Sequence, residues 1–412
     1  MRKEIFCLCL FIFCGLVTKA QTVAGSGGSN ILGQRSSEAI VTSVPSLTIS
    51  PDARSGALGD AGAAISADAN ASYWNSAKLC FIKQQYGGSL SYNPWLRKLV
   101  PDMSLNYLTA YTKVRKEEAI AFSLMYFNMG SIQFTDQNGN PLQKFSPQEF
   151  AITGNYSRKL SPYLSIGAGL KFIHSNLTGG FNNDPNGGTV KSGNTAAVDF
   201  GIYHTKDITI PGSFKKYNWS WGANLSNVGP KISYSTAAHG AFIPTNLRLG
   251  TAFTTEIDPY NKFTFILDAN KLLVPAPAVY YLGANGQDSV NSNGPVVAKG
   301  QNPETTGLIG GMIGSFYKAP GGLREEWQEI TWSLATEYWY NDLFAVRCGM
   351  FYENRNTGDR QYFTTGFGVR YNYFGLDVAY LIPIVLNNPL AETLRFTLHI
   401  NLVGKKQESV IE

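Results

Sequence analysis

The side chains with the widest chemical range here are four histidines, His174, His204, His239 and His399. A metal centre or an acid–base pair would bring two of them into a short, regular spacing such as H-x-x-x-H. They fall instead on separate expected strands or loops, and each reads as a strand or rim residue. The chain also lacks a G-x-S-x-G nucleophile elbow, a phosphate-binding P-loop and a C-x-x-C pair. No residue is assigned to catalysis, to a metal or to a cofactor. What remains is charge. Arg248, Glu256, Glu337, Arg347, Arg370 and Arg395 occupy positions expected to face inward, and Asp52, Arg54, Asp60 and Asp68 lie in one N-terminal stretch. Both signs are present, so the expected chemistry is ion pairing in a polar interior, where an unpaired charge is strongly destabilising.

Those inward charges belong to strands. In Leu394–Leu402, Leu394, Phe396, Leu398, Ile400 and Leu402 share one face, while Arg395, Thr397, His399 and Asn401 share the other. Strand side chains alternate, so one row suits lipid and the other a polar lumen. Phe374–Ile382 repeats the pattern with Asp377 inward; Leu247, Leu249 and Phe253 oppose Arg248 and Glu256; Phe263, Phe265 and Leu267 oppose Asp268 and Asn270. About fourteen such segments can be counted, at 84–92, 103–113, 118–129, 149–159, 164–177, 194–204, 217–227, 245–256, 262–271, 328–338, 343–354, 361–371, 374–382 and 393–402. Most of their even-numbered connections are brief and the odd-numbered ones longer, as in a barrel with both ends in the periplasm. A soluble sandwich has no cause to follow that asymmetry. The expected fold is all-β: a transmembrane antiparallel barrel spanning 83–403, with long extracellular loops.

Composition agrees. Aromatic residues make up 13% of the 412, glycines number 42, and charged residues are only 15%, against about a quarter in ordinary soluble chains. Residues 1–20 read as a signal peptide, with Arg2 and Lys3 before the apolar run Ile5–Val17. Its loss lowers the net charge of +5 by two, which leaves no nucleic-acid footprint. Only Cys80 and Cys348 would remain, too few for a disulfide framework. On the strand parity of 343–354, Cys348 should face lipid, away from Cys80. Residues 21–50 are expected to be a periplasmic arm and 404–412 a periplasmic tail. Between arm and barrel, 51–82 is rich in Gly and Ala, with Trp74 as a large anchor and Asn75 in turn chemistry. Small residues allow close backbone approach, so this segment is expected to plug the lumen.

The longest connection runs from Leu272 to Trp327. It begins with the apolar run Leu272, Leu273, Val274, Pro275, Ala276, Pro277 and continues to Tyr280 and Tyr281; Phe316 and Tyr317 come later. Two readings stand side by side. The run folds back over the barrel mouth, or it is exposed as a docking surface for a protein or for outer-membrane lipid. The glycines of Gly307–Gly314 carry little signal.

Several stretches also resemble known proteins. SADANASYWNSAKL (66–79) is similar to the N-terminal hatch of the long-chain fatty-acid transporter (FadL) superfamily, with Asn75-Ser76-Ala77 where Asn-Pro-Ala is usual. SPDARSGALGDAG (50–62), KLLVPAP (271–277), GSFYKAPGGL (314–323) followed by EEWQE, the run from Glu337 to Pro383, and NPLAETLRFTL (388–398) resemble one branch, the PorV (LptO) family of the Bacteroidetes type IX secretion system. That resemblance implies a non-enzymatic outer-membrane barrel that binds the C-terminal signal domains of secreted cargo. It also implies association with the translocon barrel SprA (Sov) and delivery of cargo to the attachment complex containing the sortase PorU. The alternative is a transporter of hydrophobic small molecules, which would need a continuous apolar path; the inward positions are mostly small, polar or charged.

Overall fold

The computed structural model describes residues 39–402 apart from 97–99, 136–137, 178, 180–189, 210–214, 237–239, 282–288, 292–293 and 385–392. The expected signal peptide, residues 21–38 of the expected arm, His239 and the 404–412 tail lie outside the described residues.

Fourteen antiparallel strands close a barrel. In chain order they are β1 Tyr86–Pro94, β2 Ser104–Arg115, β3 Glu118–Asn128, β4 Gln148–Lys159, β5 Leu164–Asn176, β6 Gly193–Thr209 and β7 Lys216–Val228. Then come β8 Asn246–Glu256, β9 Asn261–Leu272, β10 Thr331–Tyr340, β11 Phe344–Tyr352, β12 Gln361–Tyr371, β13 Phe374–Pro383 and β14 Leu394–Leu402. Closure comes from β1 pairing with β14, Tyr86 opposite Leu402 and Tyr92 opposite Phe396. No backbone edge is then left to lipid, which could not hydrogen-bond it.

The alternation read from sequence is the alternation of the barrel wall. Arg395, Thr397 and His399 are buried, while Leu394, Phe396, Leu398, Ile400 and Leu402 are exposed. On β11, Ala345, Arg347 and Phe351 point inward and Phe344, Val346, Cys348 and Tyr352 outward. The outward rows form the apolar belt that meets lipid. Tight turns join strands at one end. Asn341 and Asp342 both take φ of 53° between β10 and β11, and Asn372 takes 51° between β12 and β13, a left-handed geometry that Asn and Asp tolerate and that suits the twist of a hairpin. That end is periplasmic and the long-loop end external.

Three elements depart from the expected bounds. β10 begins at Thr331, not 328, because Leu323–Gln328 is helical, with Glu325 and Glu326 in its first turn where the helix dipole favours acids. The external loop between β3 and β4 carries its own hairpin, Ile132–Thr135 against Pro141–Phe145. β6 continues to Thr209, beyond the expected end at 204.

The lumen is filled by the chain's own N-terminal segment. It contains two one-turn helices, α1 Ala53–Gly56 and α2 Ala71–Trp74, and a 3-10 turn over Ser76–Phe81. Asp52 caps α1 by accepting from Ser55 N at 2.8 Å, and its other oxygen accepts from Trp74 Nε1 at 2.6 Å. Glycine is required at two places. A Cβ on Gly62 would collide with the Trp74 ring, and one on Gly59, whose φ is +64°, would collide with the Met350 backbone.

This segment runs from the external mouth to the periplasmic end of the lumen, turning back on the way so that Tyr73 Oη donates to Leu47 O. Ser43 N donates to Phe242 O in the external loop between β7 and β8. Ser46 Oγ donates to Glu149 at the external end of β4, and Asn93 Nδ2 at the external end of β1 donates to Pro51 O. Ala53 N then reaches Thr397, and Gly62 N and Ala63 N reach Asp268 at mid-barrel. Ala77 O accepts from Ser157 and Ser165 at the periplasmic end. The 43–50 part of the expected periplasmic arm is therefore corrected: it occupies the external mouth, where Val44 and Leu47 pack with Leu105, Phe127, Ile173, Ile232 and Ile243.

Candidate functional site

Most of the inward charges found in sequence come together as a network centred on the plug; Glu256 lies apart from it, paired with Lys262 at 3.6 Å. Arg54 forms two parallel bonds with Glu337, Nε–Oε1 3.0 Å and Nη2–Oε2 2.9 Å, and a third with Asp68 Oδ2 at 2.8 Å. Glu337 passes the chain on to Arg347 at 2.8 Å, and Arg347 to Asp377 at 2.8 Å. Asp377 also holds Arg370 at 2.6 Å and His399 at 2.7 Å. A second branch joins Asp60 to Arg395 at 2.6 Å and to Tyr362 Oη at 2.6 Å. Trp74 lies under the Arg248 guanidinium, 4.5 Å from the ring centre, and Asn75 Nδ2 ties Ala63 O to Ile202 O. Every plug residue singled out in sequence thus has a defined contact. Fixing one loop of chain through so many charge-assisted bonds makes it a rigid stopper.

The histidines have structural surroundings. His399 belongs to that network, His204 stacks on Trp221 at 5.6 Å, and His174 bonds Asn194 at 2.7 Å. No group of three or more metal-ligating side chains occurs among the described residues. A cavity between Leu47, Tyr73, Tyr107 and Lys171 has room on the order of one water molecule. The apolar positions of the external lumen are covered by Val44 and Leu47, so a hydrophobic solute would have to displace the chain's own residues there.

The external loop corrects part of the sequence reading. Leu273, Val274 and Pro275 are buried rather than exposed, and Leu272, Pro277 and Tyr280 are half-buried. Extended by its prolines, the run lies folded over the mouth, and Leu273 N is bonded to Thr245 O. Tyr281, Phe316 and Tyr317 are exposed, at 58%, 47% and 56%. Sequence reading missed the residues that dominate this face. Gly307–Gly314, set aside as weak signal, folds as α3, Leu308–Gly314, and the LREEWQ segment as α4, Leu323–Gln328. Both helices point their apolar side away from the protein. Ile309, Ile313, Leu323 and Trp327 are 71%, 57%, 69% and 69% exposed, while Gly311 and Gly314 of α3 and Glu325 and Glu326 of α4 are buried. The i, i+4 spacing of Ile309 with Ile313 and of Leu323 with Trp327 was the available sign.

Glycines set α3 down closely. A Cβ on Gly311 would lie 3.1 Å from the Phe242 ring and 3.2 Å from Pro275. Carboxylates hold α4 in its inverted orientation. Lys271 Nζ at the end of β9 binds Glu326 Oε2 at 2.9 Å and Glu329 Oε2 at 2.5 Å. Glu326 Oε1 accepts from Ala319 N at 2.8 Å, and Glu325 Oε2 from Gly321 N at 2.5 Å. Burial pushes the Glu329 carboxyl up to about 7; Lys271 opposes that shift, and Glu326 and Glu325 add to it. Lys231 binds Pro303 O and Glu304 O beneath the same face with its ammonium 4.5 Å from the Phe242 ring centre, and burial pushes it down.

A closed fourteen-strand barrel with a lipid-facing belt and a plugged lumen defines an outer-membrane β-barrel protein of a Gram-negative bacterium. A family model described as Type IX secretion system protein PorV matches residues 33–279, more than half of the chain, so the chain belongs to that family. It is an outer-membrane component of type IX secretion. Among solved structures it is similar to the Ralstonia pickettii toluene transporter TbuX, at 10% identity and a TM-score of 0.46, covering 85% of this chain and 98% of that one. It is also similar to a Pseudomonas aeruginosa FadL homologue, at 10% identity and a TM-score of 0.43, covering 89% and 99%. No curated protein matches the chain.

Proposed function

We propose that this protein is a non-enzymatic carrier of secretion cargo: it binds the C-terminal signal domain of exported proteins at the cell surface. The bound cargo passes from the translocon barrel SprA to the attachment complex that contains PorU. The observation that carries the reading is the inverted loop segment, where Ile309, Ile313, Phe316, Tyr317, Leu323 and Trp327 face outward from a base of buried carboxylates and glycines. An exposed apolar face of this size calls for a partner, and aromatic residues on a rigid support are the side chains that dominate binding energy. Tyr281 would lie at its edge. The plug residues Asp52, Arg54, Asp60, Asp68, Trp74 and Asn75 would keep the barrel shut while cargo is held outside it. Transport of hydrophobic small molecules is disfavoured, because Val44 and Leu47 cover the apolar lumen positions and charges fill the rest.

The test is a combined Ile313→Ala, Leu323→Ala and Trp327→Ala variant. It should insert normally and remain heat-modifiable on gels, because none of the three lies in a barrel strand. Cargo should no longer become attached at the cell surface, and pull-downs should no longer recover exported proteins sharing a C-terminal domain. Normal attachment by a correctly assembled variant would overturn the assignment of this face.

A further inference from the structure

We propose that the chain enters its own lumen from the cell-surface end, making Ala39–Pro51 an external strap that joins the outer loops to the plug. This entry follows from which end of the barrel carries the tight turns, whatever partner the outer face takes. Each anchor of the strap lies at the long-loop end: Phe242 O for Ser43 N, Glu149 for Ser46, and Asn93 for Ser50 and Pro51. The plug beyond it is anchored to Thr397 and Asp268 and ends on Ser157 and Ser165 at the periplasmic end. The chain then leaves the plug and begins β1 at Tyr86, opposite Leu402 and Thr112 at the periplasmic end.

The strap is continuous with the apolar outer face. Phe242 accepts from Ser43 through its backbone, and its ring meets α3 at Gly311. On the other side, Tyr73 of α2 donates its hydroxyl to Leu47 O at 3.0 Å, which fixes the strap to the plug. Helix α3 is thus two contacts from the strap, and the strap is one contact from the plug. An ordinary periplasmic N-terminal arm would place Val41 on the opposite side of the membrane. Val41 is 85% exposed, so the two topologies differ in which compartment can reach it.

The experiment is site-directed labelling in a Cys348→Ser background, with Cys80 left in place because it is buried. Val41→Cys, Tyr317→Cys as the external reference and Lys116→Cys in the β2–β3 turn as the periplasmic reference are treated with a membrane-impermeant maleimide. Heat-modifiability on gels confirms that each variant has formed its barrel. The expected result is that Val41→Cys labels on intact cells to the same extent as Tyr317→Cys, while Lys116→Cys labels only after the outer membrane is permeabilised. Labelling of Val41→Cys only after permeabilisation would overturn the proposal, as would its failure to label in either condition while Tyr317→Cys labels in both.

Discussion

Arg54 of the plug and Glu337 of β10 meet as a parallel fork, with both nitrogen–oxygen pairs within 3.0 Å, across 283 residues of sequence. Both side chains are almost wholly buried, at 5% and 3% exposure. Removing one partner of such a pair strands the other charge away from water, which destabilises by about 3–5 kcal/mol. Arg54→Ala should lower the unfolding midpoint of the assembled barrel accordingly and admit a large antibiotic that the outer membrane normally excludes. Arg54→Lys should rescue little, because an ammonium cannot reproduce the fork. An unchanged midpoint and unchanged antibiotic sensitivity would show that the network does not hold the plug.

Two glycines separate a plug effect from a strand effect. A Cβ on Gly349 would run into the backbone of Leu58 and Gly59, whereas one on Gly154 would meet nothing within 4 Å. Gly349→Ala should therefore assemble yet conduct ions in planar bilayers, and Gly154→Ala should behave as the parent. Equal conductance in the two variants would refute the close approach of plug and wall.

Substitutions on β14 test the wall itself. Leu398→Arg places a charge on the lipid face and should cost about 2–4 kcal/mol near mid-bilayer. Its neighbour would be expected to tolerate arginine if the lumen were open water. Thr397 is instead fully buried, accepts from Ala53 N at 2.8 Å and lies 2.8 Å from Ser91 Oγ. Thr397→Arg should thus be severe as well, through displacement of α1, and should leak where Leu398→Arg simply fails to assemble. Folding yields and conductance of the two variants check this.

The α4 anchor should respond to pH. The Glu329 carboxyl titrates near 7 in the folded protein, above its ordinary value of 4.5, chiefly because it is buried. In that window the unfolded state binds fewer protons, so stability declines as pH rises from about 4.5 to about 7. Hydrogen exchange in Ala319–Ile330 should be slower at pH 5 than at pH 8, after correction for intrinsic rates. Glu329→Gln should remove most of that difference; a pH response that survives the substitution would point to another group.

Sequence alone determined the wall. A strand's period of two is local, so Leu394–Leu402 could be divided into lipid and lumen rows without knowing its neighbours, and turn residues such as Asn341-Asp342 marked where strands end. It also showed that the Gly/Ala segment with Asp52, Arg54, Asp60 and Asp68 needed charged partners. It could not say which ones, because Arg54 and Glu337 are adjacent only after the barrel closes. The direction of the thread was equally out of reach. Nothing local in Ser43–Pro51 marks the external mouth; its contacts with Phe242, Glu149 and Asn93 do. In the external loop, apolar character left two readings open. Leu273 and Val274 could fold over the mouth or form a docking surface, and they are buried, while Leu323 and Trp327 are left outside. The difference is made by Lys271, whose buried bonds to Glu326 and Glu329 turn the polar side of α4 inward. Hydrophobicity is a property of a residue, but exposure is decided by what the opposite face of its element must satisfy, and only the tertiary structure supplies that partner.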